Sequence, residues 1–276
     1  MSDAQVEPAV PHHGHRYDDG TDLGADAGSA TPAPAPNARV QSPFSPDEED
    51  LVAPLFVVLV RHGVTEMTTS RRMSGGGVPG PRLSSAGRVQ AAKAADLVYG
   101  IGRRTWTHLP HVTRVLASPI VRTQETATAI GRRIGAHVET EDRLREVDFG
   151  AWEGLTVAEI VERDGDAIHA WRRADGVAPG GESIPQVGER AFSAVADLAR
   201  AHASDCMGGR DVPRAVAMVS HAVAIKSTVG VALGMPASHW GAIWPSPAST
   251  TILQVRPRKD GSIAETHLLC LGVPVE

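Results

Sequence analysis

Two short apolar runs in the sequence each end at a histidine. Leu55–Val60 (LFVVLV) leads into Arg61-His62-Gly63, and Ala215–Val219 (AVAMV) leads into Ser220-His221. Continuous apolar runs of this length suit strands buried on both faces. Ligands of an open α/β sheet sit beyond the carboxyl ends of its strands, so both imidazoles are expected on one functional edge. One histidine leaving a strand is usually only a polar residue at the border of the core; two, with arginines nearby, point to a site. A third run, Thr113–Ala117, ends in Ser118-Pro119, with Arg122 in the first turn of the helix expected to follow. Backbone N–H groups at a helix start bind anions readily. Arginine adds a planar fork that keeps its charge. Alone, Arg122 reads as a surface ion pair with Glu125 or Glu146. Together, Arg61, His62, Arg122 and His221 describe a positive pocket for a tetrahedral dianion. Residues 144–155 offer the acid: Glu146 and Asp148 lie in a loop where either could face the pocket or stay solvated.

The elements that must position these residues can be read from pattern. Ser84 to Val98 has Ala91, Ala94, Ala95 and Val98 at helical spacing. Ser118-Pro119 supplies an N-cap and a first-turn proline for a helix to Ile134, stopped by Gly135. Thr156-x-x-Glu159 and Ser183-x-x-Gln186 fit capping boxes. A helix is expected over 222–233, and Thr250–Val255 and Ile263–Leu271 close the chain as strands. Strands alternating with helices indicate an α/β fold with a mainly parallel sheet.

Composition removes other classes. The 276 residues carry 27 Lys+Arg and 32 Asp+Glu, a formal charge of −5. Residues 1–50 hold ten acidic and two basic side chains, a net of −8, so residues 51–276 carry +3. The first 52 residues, with Thr31–Pro36 reading TPAPAP, are too poor in apolar periodicity to offset their ordering entropy and are expected to be a disordered tail. The body is then 53–276. His12, His13 and His15 are read as solvated tail rather than a metal site, because they stand in a flexible stretch with no cysteine to complete a ligand set. No apolar run approaches a membrane span, and no secretory leader pattern opens the chain. Cys206 and Cys270 cannot build a disulfide framework. With 4% aromatics, the weakly basic body has no nucleic-acid signature. A reduced, cytoplasmic setting is expected. Ser74–Gly80, with four glycines, lacks the Gly-Lys-Ser/Thr of a phosphate loop and is either a flexible connection or a mobile lid. Arg71–Arg72, Trp152, Trp171 and Arg172–Arg173 are candidate specificity elements, the arginines more readily solvated surface charge. Trp240 and Trp244, four apart, are expected to face the core from a helix.

The run Leu59-Val60-Arg61-His62-Gly63-Val64-Thr65-Glu66 resembles the signature of the histidine phosphatase (phosphoglycerate mutase-like) superfamily. Further blocks are similar in order: Leu83-Ser84-x-x-Gly87-x-x-Gln90-Ala91, Ser118-Pro119-x-x-Arg122-Thr123-x-Glu125-Thr126-Ala127, Leu144-Arg145-Glu146-x-x-x-Gly150-x-Trp152-Glu153-Gly154, Gly180-Gly181-Glu182-Ser183 and Ser220-His221. The resemblance implies a three-layer α/β/α sandwich and a metal-independent phosphatase without cofactor. It implies His62 as the nucleophile that becomes phosphorylated, Arg61, Arg122 and His221 as phosphoryl ligands, and Glu146 as general acid. Thr68 stands where the family often has asparagine and is expected to reach phosphate with a shorter side chain. The implied partner is a small phosphomonoester, with a homodimer as the candidate assembly. A phosphoglycerate mutase is the alternative, disfavoured because only 34 positions separate Glu146 from Gly180. A phosphoryl-binding scaffold is the third reading.

Overall fold

Strand β1 (Leu55–Arg61) has no exposed residue, as its unbroken apolar run requires. The computed structural model describes residues 50–275. After β1 come helices α1 (Glu66–Thr69) and α2 (Ser85–Gly100), strand β2 (Val112–Ala117), α3 (Val121–Ile134) and a short strand β3 (Val138–Thr140). Then follow α4 (Val157–Asp164), α5 (Ala167–Arg172), the long α6 (Ile184–Met207), β4 (Arg214–Ser220), α7 (Ala222–Ala232), β5 (Thr250–Pro257) and β6 (Ile263–Val273). The sheet order is β3-β2-β4-β1-β5-β6. β3, β2, β4 and β1 run parallel, while β5 and β6 are antiparallel additions on one side. The fold is therefore the expected mainly parallel α/β sandwich.

Alternating residues of the buried strands serve two cores, because successive strand side chains point to opposite faces. Phe56, Val58 and Val60 pack with Ala94, Ala95 and Val98 of α2 and with Ala127 and Ile130 of α3. Leu55, Val57 and Leu59 face Val195 and Leu198 of α6 and Ile225 and Val229 of α7. A third cluster gathers Val147, Phe149, Trp152, Ile160, Ile168, Trp171, Val223 and Trp240. It joins α4, α5 and the 147–152 loop to the start of α7. β1 and β4 pair in parallel with Arg61 opposite Ser220, so the two strand ends that carry His62 and His221 lie side by side.

Most element boundaries match the pattern, including the capping boxes of α4 and α6. Three do not. Ser118 is not the cap of α3: the helix starts at Val121 after Ile120, which makes no side-chain cap. The Ser118 hydroxyl instead closes a local turn, accepting from the Ile120 N–H at 3.4 Å. β3 is too short and half-exposed to show a period, and it pairs only with β2. Leu51 and Val52, assigned to the tail, pair with the end of β5, through a Leu51–Arg258 bridge and the Val52 N–H donating to the Pro257 carbonyl at 3.1 Å. Residues 1–49, including the three tail histidines, lie outside the described residues. Among the described residues no helix is long and apolar enough to cross a membrane.

The loop after His62 is held against the start of α2. The Ser84 N–H donates to the Val64 carbonyl at 3.0 Å, and the Gly87 N–H donates back to the Ser84 hydroxyl at 3.0 Å. A Cβ on Gly87 would collide with the Val64 carbonyl oxygen. In an open helical site Gly→Ala stabilises by about 1 kcal/mol. At Gly87 the collision reverses the sign. Gly87→Ala should cost about 1–3 kcal/mol, read as a lower urea midpoint at unchanged slope.

Candidate active site

His62 leaves β1 buried, and its two ring nitrogens have different partners. Nδ1 lies 2.7 Å from the Gly63 carbonyl oxygen, which can only accept. Nε2 receives the Arg122 Nε–H at 3.2 Å. These partners put the ring proton on Nδ1 and leave Nε2 unprotonated, its lone pair held by the Arg122 Nε–H. Burial, followed by the charges of Arg122 and Arg61, holds His62 well below the usual imidazole value; the Gly63 bond opposes this weakly. The His221 ring stands edge-on to His62 at 5.2 Å between centroids. Its Nε2 lies 2.9 Å from the Ser118 hydroxyl, and its Nδ1 is buried without a partner. Burial, Arg122, His62 and Arg61 hold His221 low as well. Both rings are neutral near pH 7.

The two guanidinium groups are buried, and neither forms an ion pair among the described residues. Arg61 donates from Nη1 to the Pro245 carbonyl at 2.8 Å. Arg122, from α3, donates from Nη2 to the Ser74 and Gly75 carbonyls at 2.9 and 3.4 Å. Desolvation lowers both, Arg122 to about 10, so each remains charged. Arg61 Nε, Arg122 Nη1, His221 Nδ1 and Ser74 Oγ are buried with no partner. Orphaned buried polar atoms are rare in folded proteins. Arg122 touches His62 Nε2 and His221 stands edge-on to the same ring, so unpartnered polar atoms and two fixed positive charges lie beside the nucleophilic nitrogen, as binding a tetrahedral anion requires.

Of the two acidic candidates, Glu146 faces this pocket. Its carboxylate accepts from the N–H groups of Val147, Val223 and Ala224 at 3.0–3.2 Å, which seats it on the first turn of α7, just past His221. Asp148 instead accepts from the Gly150 N–H and shapes its own loop. A residue missed in the sequence holds this segment. Arg190 of α6 donates to the carbonyls of Arg143, Arg145 and Glu146 at 2.8–3.0 Å and pairs with both oxygens of Glu182 at 2.8 Å. Against the desolvation of burial, Arg190 and the Asp148 N–H hold Glu182 below the usual carboxylate range. The order of Glu146 thus depends on an arginine 44 positions away, for which no local pattern exists. Lys226, also unmarked by sequence, is nearly buried on α7; burial pushes its ammonium down while Glu146 opposes.

The start of the glycine loop is tied to the segment that follows Glu146. The Gly75 N–H donates to both Glu153 oxygens at 2.9–3.1 Å, and the Gly76 N–H donates to the Val147 carbonyl at 3.0 Å. A Cβ on Gly76 would strike the Glu146 carbonyl oxygen, so glycine here permits close backbone approach. Burial pushes Glu153 up, opposed by the Gly75 bond and Arg122. Gln90 and Thr126 hold the backbone of Val64 and Gly63, so these motif residues position rather than react.

The Thr68 hydroxyl lies 3.0 Å from that of Thr65 and takes the Thr65 N–H, closing the capping box of α1. One expectation is corrected. Trp244 does not face the core. The 3-10 turn over Ala237–Ala242 ends before it and Ile243 is extended, so the helical spacing from the buried Trp240 is lost and Trp244 is 68% exposed. Trp152 and Trp171 are core residues, and Arg72 and Arg173 are exposed and paired with Glu159 and Asp175.

The family model of the histidine phosphatase superfamily (branch 1) matches residues 57–264. A bifunctional protein of Mycobacterium tuberculosis (strain H37Rv) is 36% identical over 171 residues, covering 61% of this chain and 44% of that protein; the chain thus spans less than half the length of such relatives. A glucosyl-3-phosphoglycerate phosphatase of the same organism is 34% identical over 189 residues, covering 68% of this chain and 79% of the relative. The solved native structure of mycobacterial glucosyl-3-phosphoglycerate phosphatase superposes with a TM-score of 0.66 at 31% identity, over 79% of this chain and 99% of the other.

The two depressed imidazoles tie stability to pH. Below about pH 6.5 the unfolded chain protonates histidines that the folded state keeps neutral. Stability is therefore full above that pH and falls as pH drops, by up to about 2.7 kcal/mol per pH unit for the pair. Thermal midpoints from pH 7.5 to 5 should fall less steeply in a His62→Asn/His221→Asn double variant than in the wild type.

Proposed function

The chain belongs to the histidine phosphatase superfamily, and we propose that it is a metal-independent phosphomonoester hydrolase working through a phosphohistidine at His62. The observation that carries this reading is the buried His62, whose Nδ1 faces a carbonyl and whose Nε2 faces the Arg122 guanidinium, beside unpartnered polar atoms of Arg61, Arg122 and His221. Nε2 attacks phosphorus, and the bond from phosphorus to the ester oxygen breaks. Arg61, Arg122 and His221 hold the non-bridging oxygens, where the transition state spreads its charge. The bound anion favours the protonated form of His221. Glu146 gives a proton to the leaving alkoxide. It then takes one from the water that attacks the phosphohistidine, releasing inorganic phosphate and restoring the neutral ring.

A mutase must keep water from its phosphohistidine. The short Glu146–Gly180 segment, folded into α4 and α5, favours hydrolysis instead. The substrate is a small phosphorylated metabolite, and a phosphorylated glycosyl glycerate is the first to assay, given the relative's name. Two free cysteines fit a reducing, cytoplasmic setting.

His62→Ala should lose at least about a thousandfold in kcat on an aryl phosphate, since the nucleophile itself is gone. Substantial residual turnover would remove the nucleophile assignment. Wild-type turnover should survive EDTA; loss restored by zinc or magnesium would point to a metallophosphatase. Product analysis separates the two reactions: free phosphate means hydrolase, and an isomerised ester means mutase.

A further inference from the structure

Trp244 is a large apolar side chain left in water at the edge of the phosphate pocket. Its ring lies over the Arg61 guanidinium, 5.9 Å from Cζ to the ring centroid. It is 68% exposed, while the residues on its chain are held tightly. Ile243, just before it, is buried in the core under β1. Pro245, just after it, gives its carbonyl to Arg61 Nη1 at 2.8 Å. The same loop takes the Arg61 N–H at the Ser249 carbonyl and returns the Ala248 N–H to the His62 carbonyl, both at 3.1 Å. The backbone carrying Trp244 is therefore tied to the two residues that end β1. Arg61 Nε, still unpartnered, is a donor for the phosphoryl group. An ester oxygen bound there places the leaving alcohol within reach of the indole.

We propose that Trp244 is the platform against which the leaving alcohol packs, so that the site prefers phosphomonoesters whose alcohol carries a ring with a flat apolar face. The inference rests on the hydrolase reading above and adds the substrate class. An indole face offers a broad apolar surface at little entropic cost, and the neighbouring Arg61 cation helps to hold the ring in place. An acyclic polyol cannot cover that face. Sugar rings and aromatic rings share the required chemistry and are distinguished by separate substrates.

The test uses the full chain and measures phosphate release from p-nitrophenyl phosphate, glucose 6-phosphate and glycerol 3-phosphate. For the wild type, kcat/KM should be higher on at least one ring ester than on glycerol 3-phosphate. In Trp244→Ala, the ratio of that ring ester to glycerol 3-phosphate should fall by about 5- to 10-fold, and Trp244→Phe should recover at least half of the ratio. The preferred ring ester tells whether the platform takes a sugar or an aryl ring. A ratio unchanged in Trp244→Ala, or an equal fall on all three esters, overturns the platform while leaving the hydrolase reading intact. A wild type that releases phosphate from none of the three overturns the hydrolase reading, and the platform with it.

Discussion

Two guanidinium groups and two imidazoles meet beyond the ends of β1, β2 and β4, and no carboxylate pairs with either arginine among the described residues. Burying charge without a counter-ion is costly. The fold manages this by keeping both imidazoles neutral and by giving the arginines backbone carbonyls from Ser74, Gly75 and Pro245. Carbonyl dipoles hold a guanidinium in place without cancelling its charge. The pocket is therefore preorganised and still cationic, which suits an anion whose charge grows or shifts during reaction.

The remaining architecture follows from holding those carbonyls and Glu146 still. The glycine loop must approach the 146–149 backbone closely to present the Ser74 and Gly75 oxygens, and a Cβ at Gly76 would prevent it. Glu153 ties the loop from one side, and the Arg190–Glu182 pair ties the 143–148 segment from the other. The third core, around Trp152 and Trp171, supports both from beneath. Glu146 sits where the first N–H groups of α7 converge, so one helix start orients the acid directly after the strand that delivers His221.

Much of this was legible in the sequence, and the limits are physical. LFVVLV-Arg-His and AVAMV-Ser-His could be read because buried parallel strands demand unbroken apolar runs and the sheet puts their ends on one edge. The capping boxes of α4 and α6 are local hydrogen-bond patterns, and they stand where expected. The places of Ser118, Thr68 and Trp244 depend on contacts and helix ends that neither spacing nor resemblance encodes. Ser118 closes a turn and meets His221, Thr68 caps its own helix, and Trp244 follows a helical turn that ends too soon.

The sequence by itself determined the fold class, through apolar runs and helical periodicity within single elements, and the family, through the resemblance of its ordered motif blocks. Only the tertiary structure decided how Glu146 is seated on the first turn of α7, that Arg190 clamps its segment, that the glycine loop lies against the 146–149 backbone and that Trp244 stands beside Arg61. Those facts are distances between segments far apart in the chain. No local spacing encodes them, because they arise when the sheet and its helices pack.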